Sequence, residues 1–480
     1  MIKPSLLLLA AGTLVVSTTP AQDRSKQKPA NVVLIMADDL GFEALQCYGG
    51  GSYRTPHLDK LASEGIRFNN CHATPLCTPS RVRLMTGRYS FRNFESFAYL
   101  NPAEKNFGKL AKKQGYATCV AGKWQLSKKA NGSLPNAMVF DEYCVWYLKD
   151  RVGSRYADPT LSTLDAQEKK YKGRYGPDIM SDFVCDFIEK NKERPFFVYY
   201  PMVLTHDPFV PTPDSKGGMY AKWDRTDKGF TPKRGPGYDV TKLIGSKFEQ
   251  QCFADMIAYT DKIVGKIVAR LDEVNLRDNT LIIFTCDNGS HPKSRSLLDG
   301  VLRQGGKGAI HEFGTHVPLI ANWKNRIKGS QVCDDLIDFV DVYPTIADAI
   351  DAPIADGDVD GISFMPQLMG KEGKARDHLF LHYDPAHGKP GETWTGCALT
   401  RYVRTNKWKF YNDGRLYDVL ADRTEDNIVP ADRFPNVRAQ LKKRLDAQPA
   451  INTAVTPTVK SRMRAPQKKD PGQVQKAKNR

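Results

Sequence analysis

The stretch Asn31-Val32-Val33-Leu34-Ile35-Met36-Ala37-Asp38-Asp39 decides how the rest of the chain is read. A continuous apolar run that stops at two carboxylates is what a strand buried on both faces looks like where it empties into a loop. Similar runs recur at Phe196–Val203, Thr280–Thr285 and Val317–Ala321. Between them lie helical patterns, clearest at Phe248–Leu271, where Phe253, Met256, Ile257, Ile263, Val264 and Ile267 recur on one face. Buried strands alternating with helices predict an α/β fold: a large domain with a mostly parallel central sheet flanked by helices.

The pattern shortens after the apolar helix containing Val342 and Ile346, the Gly/Asp-rich stretch Asp356–Gly361 and the segment up to His382. Strand-like pieces follow at Ala398–Arg404, Trp408–Tyr411 and Leu416–Tyr417, with Asn412, Asp413 and Gly414 as a tight turn, and then an amphipathic helix over Arg433–Leu445. This predicts a large domain over 22–380 and a small C-terminal subdomain over 381–450, built from a short antiparallel sheet and a helix.

Composition agrees with a folded enzyme. With 41% hydrophobic and 26% charged residues in 480, the chain can bury a sizeable core and resembles neither a disordered chain nor a membrane bundle. The first residues read as a secretory signal peptide over 1–21, with Lys3, the apolar stretch Leu6–Val16, and Thr19 and Ala21 framing a cleavage site after Ala21. The apolar stretch falls short of the ~20 residues that span a bilayer, so no stable membrane insertion is expected. The last thirty residues carry eight Lys or Arg against Asp470 alone, so residues 451–480 read as a disordered basic tail. Because part of the net charge of +16 is concentrated there, the charge does not point to nucleic acid. A solvated terminus or attraction to acidic polysaccharide accounts for it. Ten cysteines are scattered through apolar segments, and their pairing is not readable.

In open α/β sheets ligands bind beyond the carboxyl ends of the strands. Asp38 and Asp39 follow the first strand, and Asp287 and Asn288 follow the strand near Thr285. If those strands are parallel neighbours, three carboxylates and an amide converge. Such an all-oxygen set suits a hard divalent cation, and calcium tolerates irregular geometry better than magnesium. Taken singly, either pair reads as a helix cap or a turn. The second feature is Cys77-Thr78-Pro79-Ser80-Arg81, followed by Leu84, Thr86, Gly87 and Arg88. Thr78 is placed to cap a helix beginning at Pro79, which would set Cys77 at a positive helix N-terminus with Arg81 one turn along. That location suggests a low-pKa thiolate, against the commoner alternative of a buried structural cysteine.

Cys-x-Pro-Ser-Arg followed by Leu-x-Thr-Gly-Arg resembles the signature of the formylglycine-dependent sulfatases, members of the alkaline phosphatase superfamily. The resemblance runs from Asn31 through Asp418. It implies that a formylglycine-generating maturation enzyme oxidises Cys77, and that the hydrated aldehyde attacks sulfur. It also implies that Asp38, Asp39, Asp287, Asn288 and the modified Cys77 hold Ca2+. By the same resemblance Lys123 and Lys307 grip the sulfate oxygens, Arg81 supports the formylglycine, and His206 protonates the leaving alcohol. His291 joins Lys123, His206 and Lys307 as a substrate-binding candidate. The implied protein is a periplasmic or secreted sulfatase acting on sulfated carbohydrate or another sulfate ester.

Two departures accompany the resemblance. Where the family commonly has Gly-Lys-Trp-His this chain has Gln125, which hydrogen-bonds but is no base near neutral pH. His291, His311 or His316 could compensate, as could a metal-polarised group. Glu312–His316 also replaces the commoner Glu-Gly-Gly-x-Arg. Two alternative functions stay open: a phosphate or phosphonate ester hydrolase of the same superfamily, and a non-catalytic binder of sulfated glycans.

Overall fold

A computed structural model describes residues 29–128, 134–148, 153–222, 245–384 and 400–448. The expected signal peptide over 1–21 and tail over 451–480 lie outside the described residues, as does Ala398 at the start of an expected strand. Among the described residues, no helix is long and apolar enough to cross a membrane.

The strands of the large sheet are β1 (Asn31–Ala37), β2 (Ile66–His72), β3 (Ala117–Lys123), β4 (Glu142–Trp146), β5 (Thr160–Thr163), β6 (Lys169–Lys170), β7 (Phe196–Pro201) and β8 (Thr280–Cys286). After a hairpin of β9 (Arg295–Leu298) and β10 (Val301–Gln304) come β11 (His316–Asn322) and β12 (Gln331–Asp338). The spatial order is β12-β2-β11-β8-β1-β7-β3-β4-β5-β6, and β8, β1, β7, β3 and β4 are successive parallel neighbours. All seven residues of β1 are buried, with Val33 facing Val198 on one side and Ile282 on the other. At about 1.5–3 kcal/mol for each fully buried Val, Leu, Ile or Met side chain, packing alone fixes this strand at the sheet centre. The helix Lys247–Glu273 is closed at its start by Ser246 and Glu249, each side chain bonding the other's backbone N–H, and it buries the apolar face predicted for it.

The expected mostly parallel sheet is present, with one inner strand running the other way and one run ending early. The run Val317–Ala321 does form a strand, but β11 is antiparallel to both β8 and β2. An inner strand covered on both faces reads as apolar whichever way it runs, so the pattern carries no direction. The run at Phe196 ends at Pro201, two residues early.

The remaining strands, β13 (Leu379–Tyr383), β14 (Thr400–Arg404), β15 (Trp408–Tyr411) and β16 (Leu416–Asp418), form an antiparallel sheet, and the helix Pro435–Asp446 packs on it. The expected division between 380 and 381 falls inside β13, which the sequence reading did not distinguish as a strand. Side chains alternate across the sheet. Phe380, Val403, Phe410 and Leu416 face Leu441 and Leu445 together with Tyr89 and Phe91 of the large domain. Leu381, Tyr383, Tyr402, Tyr411 and Tyr417 face Leu76, the residue before Cys77. Both faces therefore bear on the large domain.

Candidate active site

Four adjacent parallel strands deliver polar groups to one edge of the large sheet. β1 ends into Asp38 and Asp39, β8 into Asp287 and Asn288, β7 leads to His206, and β3 ends with Lys123. β2 runs in the same direction as β8, since both are antiparallel to β11, and so its end carries Cys77 to that edge as well. β3 comes close to β7 through Gly122, whose φ is +117°; a Cβ there would lie 1.9 Å from the Pro201 carbonyl oxygen.

The helix after β2 spans Cys77–Thr86, so it begins earlier than expected and Cys77 is its first residue. Thr78 does not cap it: its hydroxyl instead accepts from the Ala98 backbone N–H at 3.1 Å. Gly87, with φ at +67°, closes the helix with a bond to the Arg83 carbonyl. Cys77 Sγ lies 3.7 Å from Asp38 Oδ1. Burial, reinforced by Asp287, pushes the thiol up to about 12, so the low-pKa thiolate suggested by a helix N-terminus is not what this environment favours.

Arg81, fully buried, donates to the Lys123 carbonyl at 2.9 Å and to Asp287 Oδ2 at 2.8 Å, and lies 3.6 Å from Asp38. Lys123 Nζ donates to both oxygens of Asp38, at 2.9 and 2.8 Å. Lys307 Nζ donates to Asp39 Oδ2 at 2.5 Å and lies 2.9 Å from His206 Nε2. Asp39 itself takes a left-handed backbone, φ 63°, which aspartate tolerates better than most residues. Thr205 Oγ1 donates to its carbonyl at 3.1 Å, and its own N–H donates to Asp287 Oδ1 at 3.2 Å.

Burial raises Asp38, but Lys123, His206, Arg81 and Lys307 outweigh it and hold that carboxyl well below the usual range. Asp287 goes the other way: burial and the neighbouring Asp38 push it up to about 7 against the pull of Arg81. Three buried carboxylates this close would be relieved by a cation among them. Asn288 supplies a direct sign of fit. Its Nδ2 donates to Asp39 Oδ1 at 2.8 Å, while its buried Oδ1 has no hydrogen-bond partner. Ligand atoms of Asp38, Asp39, Cys77 and His206 all lie within 4.8 Å of one another. An oxygen-rich set with one orphaned amide oxygen fits a hard dication.

Two residues at this site went unforeseen. Arg155, buried and stacked on Trp146 and Tyr156, places Nη2 3.0 Å from His206 Nδ1. Asp207 Oδ1 lies 3.0 Å from the same nitrogen. Asp207 stood beside a noted histidine, whereas nothing local marks Arg155, whose partners are distant in sequence. His291 is buried beside Asp207, with Nε2 3.7 Å from Asp207 Oδ1. Burial lowers both His206 and His291, the latter to about 4.

The other candidate histidines go elsewhere. His316 stacks on Phe42 and His72, with ring centroids 4.0 and 5.0 Å apart, and belongs to a separate group with Glu312. The His311 ring stands edge-on to Phe313. Gln125 follows Lys123 by two residues with φ at 55°. It is buried, and its Oε1 has no hydrogen-bond partner.

Comparison with known proteins agrees with this geometry. The family profile described as Sulfatase matches residues 30–352, and that described as N-sulphoglucosamine sulphohydrolase, C-terminal matches 306–450. Arylsulfatase A of Homo sapiens is 30% identical over 461 residues, covering 87% of this chain and 80% of that protein. N-acetylgalactosamine-6-O-sulfatase of Bacteroides thetaiotaomicron is 26% identical over 521 residues, covering 88% and 94%. The solved structure of BT4656 in complex with its substrate D-glucosamine-2-N,6-O-disulfate superposes with a TM-score of 0.70 at 22% identity, covering 88% of this chain and 97% of that one.

Proposed function

The chain belongs to the sulfatase family, hydrolases of sulfuric esters, and we propose that it is an exported enzyme that removes sulfate from sulfated carbohydrate through a formylglycine made from Cys77 and a bound calcium ion. The observation that carries this reading is the convergence of Cys77, Asp38, Asp39, Asp287 and Asn288 at one sheet edge, with Arg81, Lys123 and Lys307 among them. The carbohydrate part rests on relatives such as the N-acetylgalactosamine-6-O-sulfatase. Export rests on the leader-like first 21 residues.

Asp38, Asp39, Asp287 and the free oxygen of Asn288 would hold the calcium, with the modified Cys77 completing the set. Calcium would supply a fixed positive charge against the sulfuryl oxygens, and formylglycine an oxygen nucleophile that a buried thiol is not. Lys123 and Lys307 add two ammonium groups for the sulfate oxygens. Arg81 keeps Asp287 and the end of β3 in register with the Cys77 helix. His206 directs Nε2 toward the centre while Arg155 and Asp207 occupy its Nδ1 side; Nε2 lies 2.9 Å from the Lys307 ammonium, which can supply it with a proton, and it is the atom from which that proton would pass to the departing alcohol. His291, 3.7 Å from Asp207, is the further group offered for the alcohol portion of a substrate.

The test is the mass of the Cys77 peptide after co-expression with a formylglycine-generating enzyme, alongside sulfate release from an aryl sulfate. Conversion of the thiol together with sulfate release, lost in Cys77→Ala, is the expected result. An unmodified thiol, or undiminished turnover by Cys77→Ala, overturns the proposal.

A further inference from the structure

Away from that centre, His72, Glu312 and His316 form a second buried group of potential ligands. His316 pairs directly with His72 across the antiparallel β11–β2 ladder, a register that sets two side chains on one face with Cβ atoms about 4.5–5.5 Å apart. Glu312 stands four residues before His316, on the turn Glu312–Thr315 that leads into β11. His72 Nε2 lies 3.9 Å and His316 Nδ1 3.7 Å from the same oxygen, Glu312 Oε2. All three residues are less than 7% exposed, and His72 Nε2 and His316 Nδ1 have no hydrogen-bond partner. A neutral imidazole carries one lone pair and one N–H, so each ring can turn one lone pair toward this carboxylate, and two buried lone pairs with no donor are costly unless a cation accepts them.

The surroundings are arranged as a metal's outer partners usually are. His72 Nδ1 faces Thr315 Oγ1 at 3.4 Å, which leaves Nε2 as the free ligand atom. Arg404 Nε and Nη2 donate to the two oxygens of Glu312 at 2.9 and 2.8 Å, fixing the carboxylate while leaving a second lone pair on each oxygen.

We propose that His72, Glu312 and His316 form a site for a borderline transition-metal dication such as zinc, distinct from the oxygen-rich calcium site. Two imidazoles and a carboxylate are a ligand set that zinc accepts, with a fourth position left for water. Zinc bonds of about 2.0–2.2 Å at tetrahedral angles put ligand atoms roughly 3.3 Å apart, so the two His–Glu gaps would close by about half an ångström and the stacked His72 and His316 rings would turn to aim both lone pairs at the ion. The ion would tie the end of β2, five residues before Cys77, to the start of β11 and, through Arg404, to the small sheet.

The experiment counts zinc bound per full-length chain by equilibrium dialysis and elemental analysis, starting from chelator-treated protein. Asp39→Asn, which disables the calcium site, is expected to retain one equivalent. His316→Gln and His72→Gln are each expected to bind one equivalent fewer than the unaltered chain and to lose its zinc-dependent rise in Tm. Circular dichroism checks folding, and the Asp39→Asn arm needs no change in the group itself. Zero zinc on Asp39→Asn, or the same zinc content in a folded His72→Gln or His316→Gln as in the unaltered chain, overturns the proposal.

Discussion

Replacing His206 with glutamine separates proton donation from mere positioning. The ring is held on its Nδ1 side by Arg155 and Asp207, both at 3.0 Å, and only Nε2 points toward Lys307 and Asp39. On the proposed mechanism one atom carries the whole general-acid contribution, which is typically worth about 10²–10⁴ in rate. At about 1.36 kcal/mol per factor of ten, that is roughly 3–5 kcal/mol of barrier. Glutamine retains a hydrogen-bond donor near the same place but has no proton to give. The loss should scale with how badly the departing group needs one. The assay is kcat/KM across a series of aryl sulfates running from nitrophenols to unsubstituted phenol, whose hydroxyl ionises at about 10. For His206→Gln the loss should stay below about tenfold with the most acidic phenols and exceed about a hundredfold with phenol, steepening the dependence on leaving-group pKa. A uniform loss along the series would refute proton transfer from His206 and leave it a positioning role.

Calcium should stabilise the protein more at pH 8 than at pH 5. The folded-state pKa of Asp287 is raised to about 7 by burial and Asp38, so without metal the native state keeps a proton that the unfolded chain has lost, and stability falls as pH rises from about 4 to about 7. A dication takes the place of that proton; equal Tm shifts at the two pH values would contradict this. Asn288→Ala should weaken calcium binding, read as a smaller calcium-dependent Tm rise, because it removes the orphaned oxygen. Arg83→Leu should cost about 3–5 kcal/mol by leaving Asp338 buried and unpaired and the Phe380 carbonyl without its donor, read as a lower urea midpoint. If the position of Gln125, where the family commonly has a histidine, serves the base that helps free sulfate from the enzyme, then because glutamine takes no proton near neutral pH rapid mixing should show a burst of phenol ahead of slow steady turnover, and Gln125→His should diminish it; a linear trace from the unaltered enzyme would count against that role.

The parts of the fold that could be read in advance are those whose pattern has a period. β1 and β8 announce themselves as apolar runs, and Asp38, Asp39, Asp287 and Asn288 follow at once as their loop residues. The direction of β11 was hidden because a strand covered on both faces is apolar in either sense. β13 was not recognised because its partner β14 lies across a long intervening stretch. At the site, Lys123 and Lys307 were found through the motifs around them, whereas Arg155 reaches His206 through stacking on Trp146 and Tyr156, which leaves no local trace. The expected cap at Thr78 failed for a related reason: a distant donor, the Ala98 N–H, takes up its hydroxyl.

The seating of Cys77 constrains when it can be altered. It is 2% exposed, on the first turn of a helix whose residues are all buried. No second protein could close an active site around that thiol once the sheet has assembled. The strand that delivers Asp287 follows Cys77 by about 210 residues. At about 5–20 residues per second of synthesis, the cysteine leaves the ribosome some ~10–40 s before the carboxylate that will bury it. If Cys77 is converted as proposed, the enzyme that oxidises it would have to work within that interval or on a chain kept unfolded, which would make activation a race against folding.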